Sequence, residues 1–312
     1  MIISFGEVLI DFLPRSLNED GGTTSGYLPI VGGSPANVAV GISRLGVKSG
    51  FAGGISTDFF GDQIRAHLQQ SDVDFSFSPA MQNSSTLAFV ALDSEEPQYA
   101  FFDENSANRN YVVPSTEELA RAATALHFGS FSIGVEPLGT KLETIMASCS
   151  DTHLISLDPN IRADLIPDEQ AYRARLKRCY AHAHIIKISI ADLEWLEPKK
   201  PYQLVAQEWL QGGAQLVVIT HGSKGSHAFT NKDDVKFGAT KTEIVDTVGA
   251  GDSFMSGLLA YLHGENVLTP KTIENLDIGT IEKALGFASK CAAITVSRAG
   301  ANPPYLAELQ AE

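Results

Sequence analysis

Along this chain, short apolar runs rich in β-branched residues alternate with stretches of helical period, a rhythm that predicts βαβ units around a mostly parallel sheet. The clearest strands are His153 to Asp158, His184 to Ile188 and Leu216 to Thr220, and a polar residue closes or follows each run. Ligands of open α/β sheets gather outside the carboxyl ends of strands, so Asp158, Lys187 and Thr220 are candidates by position. Polar residues commonly follow strands, so position alone assigns them no role. Ser34 and Pro35 lead into an apolar stretch that stops at Gly46, which predicts a helix with Ser34 as cap, Pro at its start and Gly at its end. Two stretches break the rhythm. Residues 12–31 are rich in Gly, Thr and Pro, and residues 84–112 show strand-like alternation; together they predict a small β-layer appended to the main sheet.

Bulk properties narrow the function classes. The net charge of −14 disfavours a nucleic-acid partner, because phosphate backbones are bound by clustered Lys and Arg. An acidic protein with an anionic substrate then needs local positive potential from a metal ion, backbone N–H groups or a few placed cations. The N-terminal residues Met1 to Glu7 read as a first strand and not as a signal peptide. No apolar run is long enough to span a membrane. The cysteines Cys149, Cys179 and Cys291 lie far apart and outside any CxxC spacing, which fits a reducing, cytoplasmic compartment and buried thiols.

The richest segment runs from Thr242 to Leu262, where a strand is expected to pass through Gly249, Ala250 and Gly251 into an apolar helix. Small residues there let the backbone turn sharply and aim several N–H groups one way, and the helix N-terminus adds partial positive charge. Such a turn suits a phosphoryl group. Asp252 is the anomaly, since an acid inside an anion-binding turn repels the ligand unless it acts on it. One reading makes it a general base for an attacking hydroxyl. The other makes it an ordinary acid in the first turn of a helix. Neither GxxxxGK[ST] nor GxGxxG occurs.

The run Asp246 to Phe254 resembles the second signature of the ribokinase-like (PfkB) carbohydrate kinases, DTxGAGD before an apolar helix. Gly32 to Ala39, with Leu45-Gly46 and the glycines at 53, 54 and 61, is similar to the first. The resemblance covers nearly the whole chain. It implies an α/β, three-layer fold with a mostly parallel central sheet flanked by helices, a single domain over residues 1–312, and a β lid from residues 12–31 and 84–112. It implies an ATP-dependent kinase acting on a primary hydroxyl, with Asp252 as base and Gly249, Ala250 and Gly251 around the transferred group. By the same resemblance Asp11, Gly32, Gly33, Asn37, Phe102, Arg109 and Arg162 face the sugar, and Lys187, Ser189, Thr220, Gly222, Gly225 and Ser289 face ATP. Lys187 to Asp192 stands where the family has NxxE and reads SxxD, which leaves Asp192 to place Mg²⁺ through water. Asp246, Val248, Thr295, Arg298 and Gly300 match a loop that surrounds a monovalent cation such as K⁺ in many relatives.

The acceptor is less defined. Fructokinases often carry FYRxxSAD, whereas this chain has Asp103 where Arg is common and Asn108 where Asp is common. Arg109 would supply the missing cation, or the substrate would differ. Fructose leads; 2-keto-3-deoxygluconate, ribose or a nucleoside are the alternatives, and a catalytically silent sugar-binding relative is the reading from another class. The expected partners are a sugar and ATP, with no nucleic acid or membrane. Relatives dimerise through their lids, and the apolar strand Leu87 to Leu92 is the expected pairing edge.

Overall fold

The computed structural model describes residues 1–19, 22–91 and 98–310. From the N-terminus, β1 (Ile2–Phe5), β2 (Leu9–Glu19) and β3 (Gly22–Gly32) lead into helix α1 (Ser34–Arg44). Next come β4 (Ser49–Ala52), β5 (Ile55–Ser56), α2 (Phe59–Gln70), β6 (Ala80–Met81), β7 (Thr86–Ala91) and β8 (Gln98–Phe102). Then follow α3 (Thr116–Ala122), β9 (Ala125–Gly129), α4 (Leu138–Cys149), β10 (Leu154–Asp158), α5 (Glu169–Tyr180), β11 (Ile185–Ser189), α6 (Ile190–Leu196), α7 (Tyr202–Gln211) and β12 (Leu216–Thr220). The chain closes with β13 (Ser226–Phe229), β14 (Asp234–Phe237), α8 (Ala250–Gly264), α9 (Pro270–Ile273), α10 (Ile278–Val296) and α11 (Leu306–Leu309).

Eight strands form the main sheet in the order β14-β13-β12-β11-β10-β9-β1-β4. The six from β12 to β4 are parallel, and β13 and β14 extend that edge as an antiparallel hairpin that the sequence pattern did not predict. Alternate residues face opposite layers. Ile3, Phe5, Leu126, Phe128, Ile155 and Ile186 pack against α4, α5 and α7, while Ile2, Ala125, Leu154 and Ile185 pack against α8 and α10. Burial of this kind on both faces explains why the parallel strands read as continuous apolar runs.

A second sheet of four strands has the order β3-β2-β7-β8 and contains both stretches that broke the rhythm. Its start, at Leu9, lies a little before the expected segment. The strand β7 is an interior strand, paired with β2 on one side and β8 on the other, so the expected free edge at residues 87–92 is corrected. The edges are β3 and β8, and Leu92 lies outside the described residues. Two further expectations change. Residues 242–248 form an irregular exposed loop and no strand, because Glu243, Ile244 and Val245 have no neighbouring strand to pair with. Ser34 is not the cap of α1; Gly33 occupies that place with φ 106° and no side-chain cap bond.

Candidate active site

The site is set by how α1 meets α8. Gly41 leaves no room for a side chain against Ser256, and Ser256 Oγ reaches the carbonyl oxygens of Asp252 (2.7 Å) and Val38 (3.2 Å). These contacts hold the helices side by side and in parallel register, so both N-termini open at the same end of the sheet. Gly249 caps α8 in the left-handed region with φ 75°, where a Cβ would stand 2.6 Å from that of Ala301.

Asp252 lies in the first turn of α8 and is buried. Ser34 Oγ donates to its Oδ1 at 2.7 Å and Asn37 Nδ2 to its Oδ2 at 2.9 Å. Asn160 Nδ2 lies 3.5 Å from Oδ1. Thus α1, α8 and the loop after β10 converge on one carboxylate.

On one side of Asp252, toward the lid sheet, stand Asp11 and the glycines that lead into α1. Gly33 is pressed against the Glu7 carbonyl, where no side chain fits, and Gly32 lies against the Asp11 carboxylate, which would have to turn aside for one. Asp11, on β2, is half-buried; desolvation raises its pKa to about 6, against the pull of Arg162. Glu7 behind it is fully enclosed, accepts from Ser132 Oγ at 2.5 Å, and is likewise held above its usual range by desolvation, although Ser130 and Ser132 oppose the shift. Arg162 folds back on its own loop, donating to Asn160 Oδ1 at 2.7 Å and lying 3.2 Å from the carbonyl oxygens of Asn160 and Ile161. Arg109 is not a spare cation. Its Nε donates to Asp103 Oδ2 at 2.6 Å, and the other oxygen of Asp103 accepts from Thr86 Oγ1 and Ser106 Oγ. The charge exchange read in the lid is therefore closed internally by Asp103 and Arg109. Phe102 is exposed on β8, with its ring edge-on to Phe89.

On the other side a cavity of about 570 Å³ runs along β12 and α10. Thr220, Gly222, Gly225 and Ser289 line it, and Ala250 and Gly251 close its inner end. Ser289 Oγ accepts from the Thr240 N–H at 2.8 Å and fixes the loop that forms its roof. Lys187 and Ser189 do not line this cavity. Lys187 is buried behind Gly251, where its Nζ pairs with Asp158 Oδ2 at 2.7 Å. Desolvation raises Asp158 to about 6 even so, with Lys187 opposing.

Ser189 and Asp192 close on each other. Ser189 caps α6 by accepting from the Asp192 N–H at 3.0 Å, and its Oγ lies 2.7 Å from Asp192 Oδ2. Among the described residues no three His, Cys, Asp or Glu side chains gather around a metal. Of the residues matched to a cation loop, Asp246 does join two segments, accepting from Val248 N–H at 3.0 Å and Gly300 N–H at 2.8 Å. Thr295 lies in the last turn of α10 with its hydroxyl buried 2.7 Å from Ser253 Oγ, a side-chain contact that does not use its backbone carbonyl. Arg298 turns outward to Glu308.

Sequence reading missed Ser34 and Asn160 as partners of Asp252, because a Ser before Pro looks like a cap and Asn after Pro like a turn. It also missed Glu7, whose burial no local pattern signals.

A cavity that reaches the turn beside the buried Asp252 at a helix N-terminus, on a mostly parallel sheet with a β lid, is the architecture of a carbohydrate kinase. The chain belongs to the pfkB family of carbohydrate kinases, whose family model matches residues 1–308. A fructokinase of Rhizobium leguminosarum bv. trifolii is 38% identical over 279 residues, covering 89% of this chain and 84% of that protein. Among solved structures, a fructokinase with bound ATP from Xylella fastidiosa superimposes with a TM-score of 0.89 at 26% identity, covering 100% of this chain and 99% of that one. A fructokinase double mutant from Vibrio cholerae O395, in a fructose-, ADP- and potassium-bound form, gives 0.80 at 26% identity, covering 96% and 93%. Among the described residues no helix is long and apolar enough to cross a membrane.

Proposed function

We propose that the protein is a fructokinase that transfers the γ-phosphoryl group of ATP to the primary hydroxyl at C6 of fructose. The observation that carries this reading is the place of Asp252, held by Ser34 and Asn37 of α1 on one side and next to the turn that lines the cavity along α10 on the other. Asp11 and Asn37 offer hydroxyl partners to a neutral acceptor. Arg109 is paired with Asp103, whereas Arg162 donates only to uncharged oxygens of its own loop, so the assay below separates fructose from ketodeoxygluconate.

In this reading the sugar lies against Asp11, Gly32, Gly33 and Asn37, with Phe102 at the rim and Arg162 holding the loop beneath. ATP lies along Thr220, Gly222, Gly225 and Ser289. Asp252 takes the hydroxyl proton as the oxygen bonds to the γ-phosphorus; the bond to the β,γ-bridging oxygen breaks and ADP departs with its electron pair. The N–H groups of Gly251 and Asp252, at the start of α8, face the charge that develops on the transferred group. Lid closure excludes water.

The site fits magnesium that arrives with the nucleotide phosphates and not a protein cage, since the Asp192 carboxylate is the only acid of the SxxD segment and is already engaged by Ser189. When bound, it would neutralise phosphate charge, with Asp192 reaching it through water. Asp246, tying Val248 to Gly300, holds the loop where backbone carbonyls would take a monovalent cation.

The chain works in this reading as one kinase domain with the four-stranded sheet as its lid. Two copies pair through lid edges β3 and β8, where Tyr27, Leu28 and Phe102 are exposed. Three buried, unbridged cysteines support a cytoplasmic setting. The test is ADP release with fructose, ribose, ketodeoxygluconate and adenosine. Fructose should give the highest kcat/KM by at least about tenfold; a higher value for any other acceptor would replace it, and no turnover with any would remove the enzyme reading.

A further inference from the structure

Both oxygens of Asp252 carry donors, but the donors differ in how they are held. Asn37, which bonds Oδ2, has a second N–H and a carbonyl oxygen that can serve a sugar hydroxyl, and its amide can turn toward an arriving acceptor. Ser34, which bonds Oδ1, has no such freedom. It is the first residue of α1, its side chain is short and buried, and Pro35 fixes the backbone beside it. The seam of Gly41, Val38 and Ser256 locks α1 against α8 one and two turns further on, so the separation of Ser34 and Asp252 is set by packing.

A general base needs a lone pair aimed at the attacking hydroxyl when it receives the proton, and each carboxylate oxygen carries two. It also needs a fixed orientation, because a carboxylate free to rotate about its side-chain bonds loses the attack geometry. We infer that Ser34 is a positioning residue that pins Asp252 through Oδ1, so that Oδ2, released by Asn37 when the acceptor binds, takes the hydroxyl proton. The proton passes from the primary hydroxyl to Oδ2, the hydroxyl oxygen uses its electron pair to bond phosphorus, and Oδ1 keeps its bond from Ser34 throughout. This rests on reading Asp252 as the base.

The consequences are specific to Ser34. Removing its hydroxyl frees the Asp252 side chain to rotate, which costs attack geometry and not ground-state binding. Ser34→Ala should lower kcat roughly tenfold with KM for fructose and ATP within about twofold. Ser34→Thr, which keeps the hydroxyl, should restore kcat. Ser256→Ala serves as the control: it deletes a hydroxyl of the same seam that meets only backbone oxygens, so it should lower the melting temperature while kcat stays within about twofold.

The experiment measures kcat and KM for these variants and for Asp252→Asn. An unchanged kcat in Ser34→Ala, with Asp252→Asn inactive, overturns the role of Ser34 and leaves the base in place. Full turnover by Asp252→Asn overturns the base itself. A loss of kcat of the same size in Ser256→Ala also overturns the inference, since the effect would then come from the seam. Should Ser34→Ala not fold, Ser34→Cys keeps the size with a weaker donor and should show a smaller loss of kcat; no loss there counts against Ser34.

Discussion

On the acceptor side of Asp252 the wall is made of ionisable and amide side chains, Asp11, Glu7, Asn37 and Asn160, each held by a named partner or by burial. Along the cavity beside α10 the wall joins small residues, Ala239, Ala292, Ala293, Gly222 and Gly225, to the apolar Ile244, Phe254 and Val296 and the cationic Lys241, with Ser289 turned into holding its own loop. The first wall recognises by matching donors to acceptors, so it is sensitive to chemistry at fixed size. The second recognises by shape and backbone, so it is sensitive to bulk at fixed polarity. Asp252 belongs to both, because it stands in the first turn of the helix that ends one wall and begins the other.

The largest effect expected is at the shared residue. Asp252→Asn preserves size on both sides and removes only the basic oxygen, so turnover should fall at least about a hundredfold while KM for fructose and ATP changes little, read by steady-state kinetics. A loss of binding equal to the loss of turnover would break the comparison by making Asp252 a binding residue. Next, Ala292→Phe puts a ring into the cavity and should raise KM for ATP about tenfold, leaving KM for fructose unchanged; parallel changes in both would mean the two walls are not separate.

The pH dependence sharpens the contrast further. Asp11, raised to about 6, loses its full acceptor capacity when protonated, so KM for fructose should rise severalfold as pH falls from about 7 to 5, with KM for ATP following another course. Asp11→Asn should flatten that limb. The stability sign is opposite to that of a salt-bridged acid. A folded pKa above the ordinary 3.8 means stability is fully present below that value and lost as pH rises through about 6, so Asp11→Asn should melt no lower than the parent at pH 8. The smallest effect on turnover is expected in the lid. Asp103→Asn leaves Arg109 without its counter-charge and should cost about 1 to 3 kcal/mol, read by denaturant melts, while the kcat/KM for ATP stays within about twofold.

Much of the architecture was legible because it depends on short-range regularities. Strands β10, β11 and β12 lie within a residue of where the apolar runs placed them, and the glycine turn at 249 to 251 does open a helix. The lid was legible as a break in rhythm, since a half-exposed antiparallel sheet alternates where a doubly covered parallel strand does not. Which lid strand forms an edge was not legible, because pairing order is a long-range property, and the strand that looked exposed is held on both sides.

By itself the sequence determined the fold class and the family and singled out Asp252, all of which follow from residue types at fixed spacing along the chain. What that carboxylate touches was decided only by tertiary structure. Ser34 and Asp252 are 218 residues apart, and the seam of Gly41 against Ser256 brings one hydroxyl to one oxygen at 2.7 Å. Likewise Arg109 looks free in the sequence and is spent on Asp103 in the fold. Local patterns fix backbone geometry, whereas partnership between side chains depends on helix packing and loop return, which no single stretch of chain encodes.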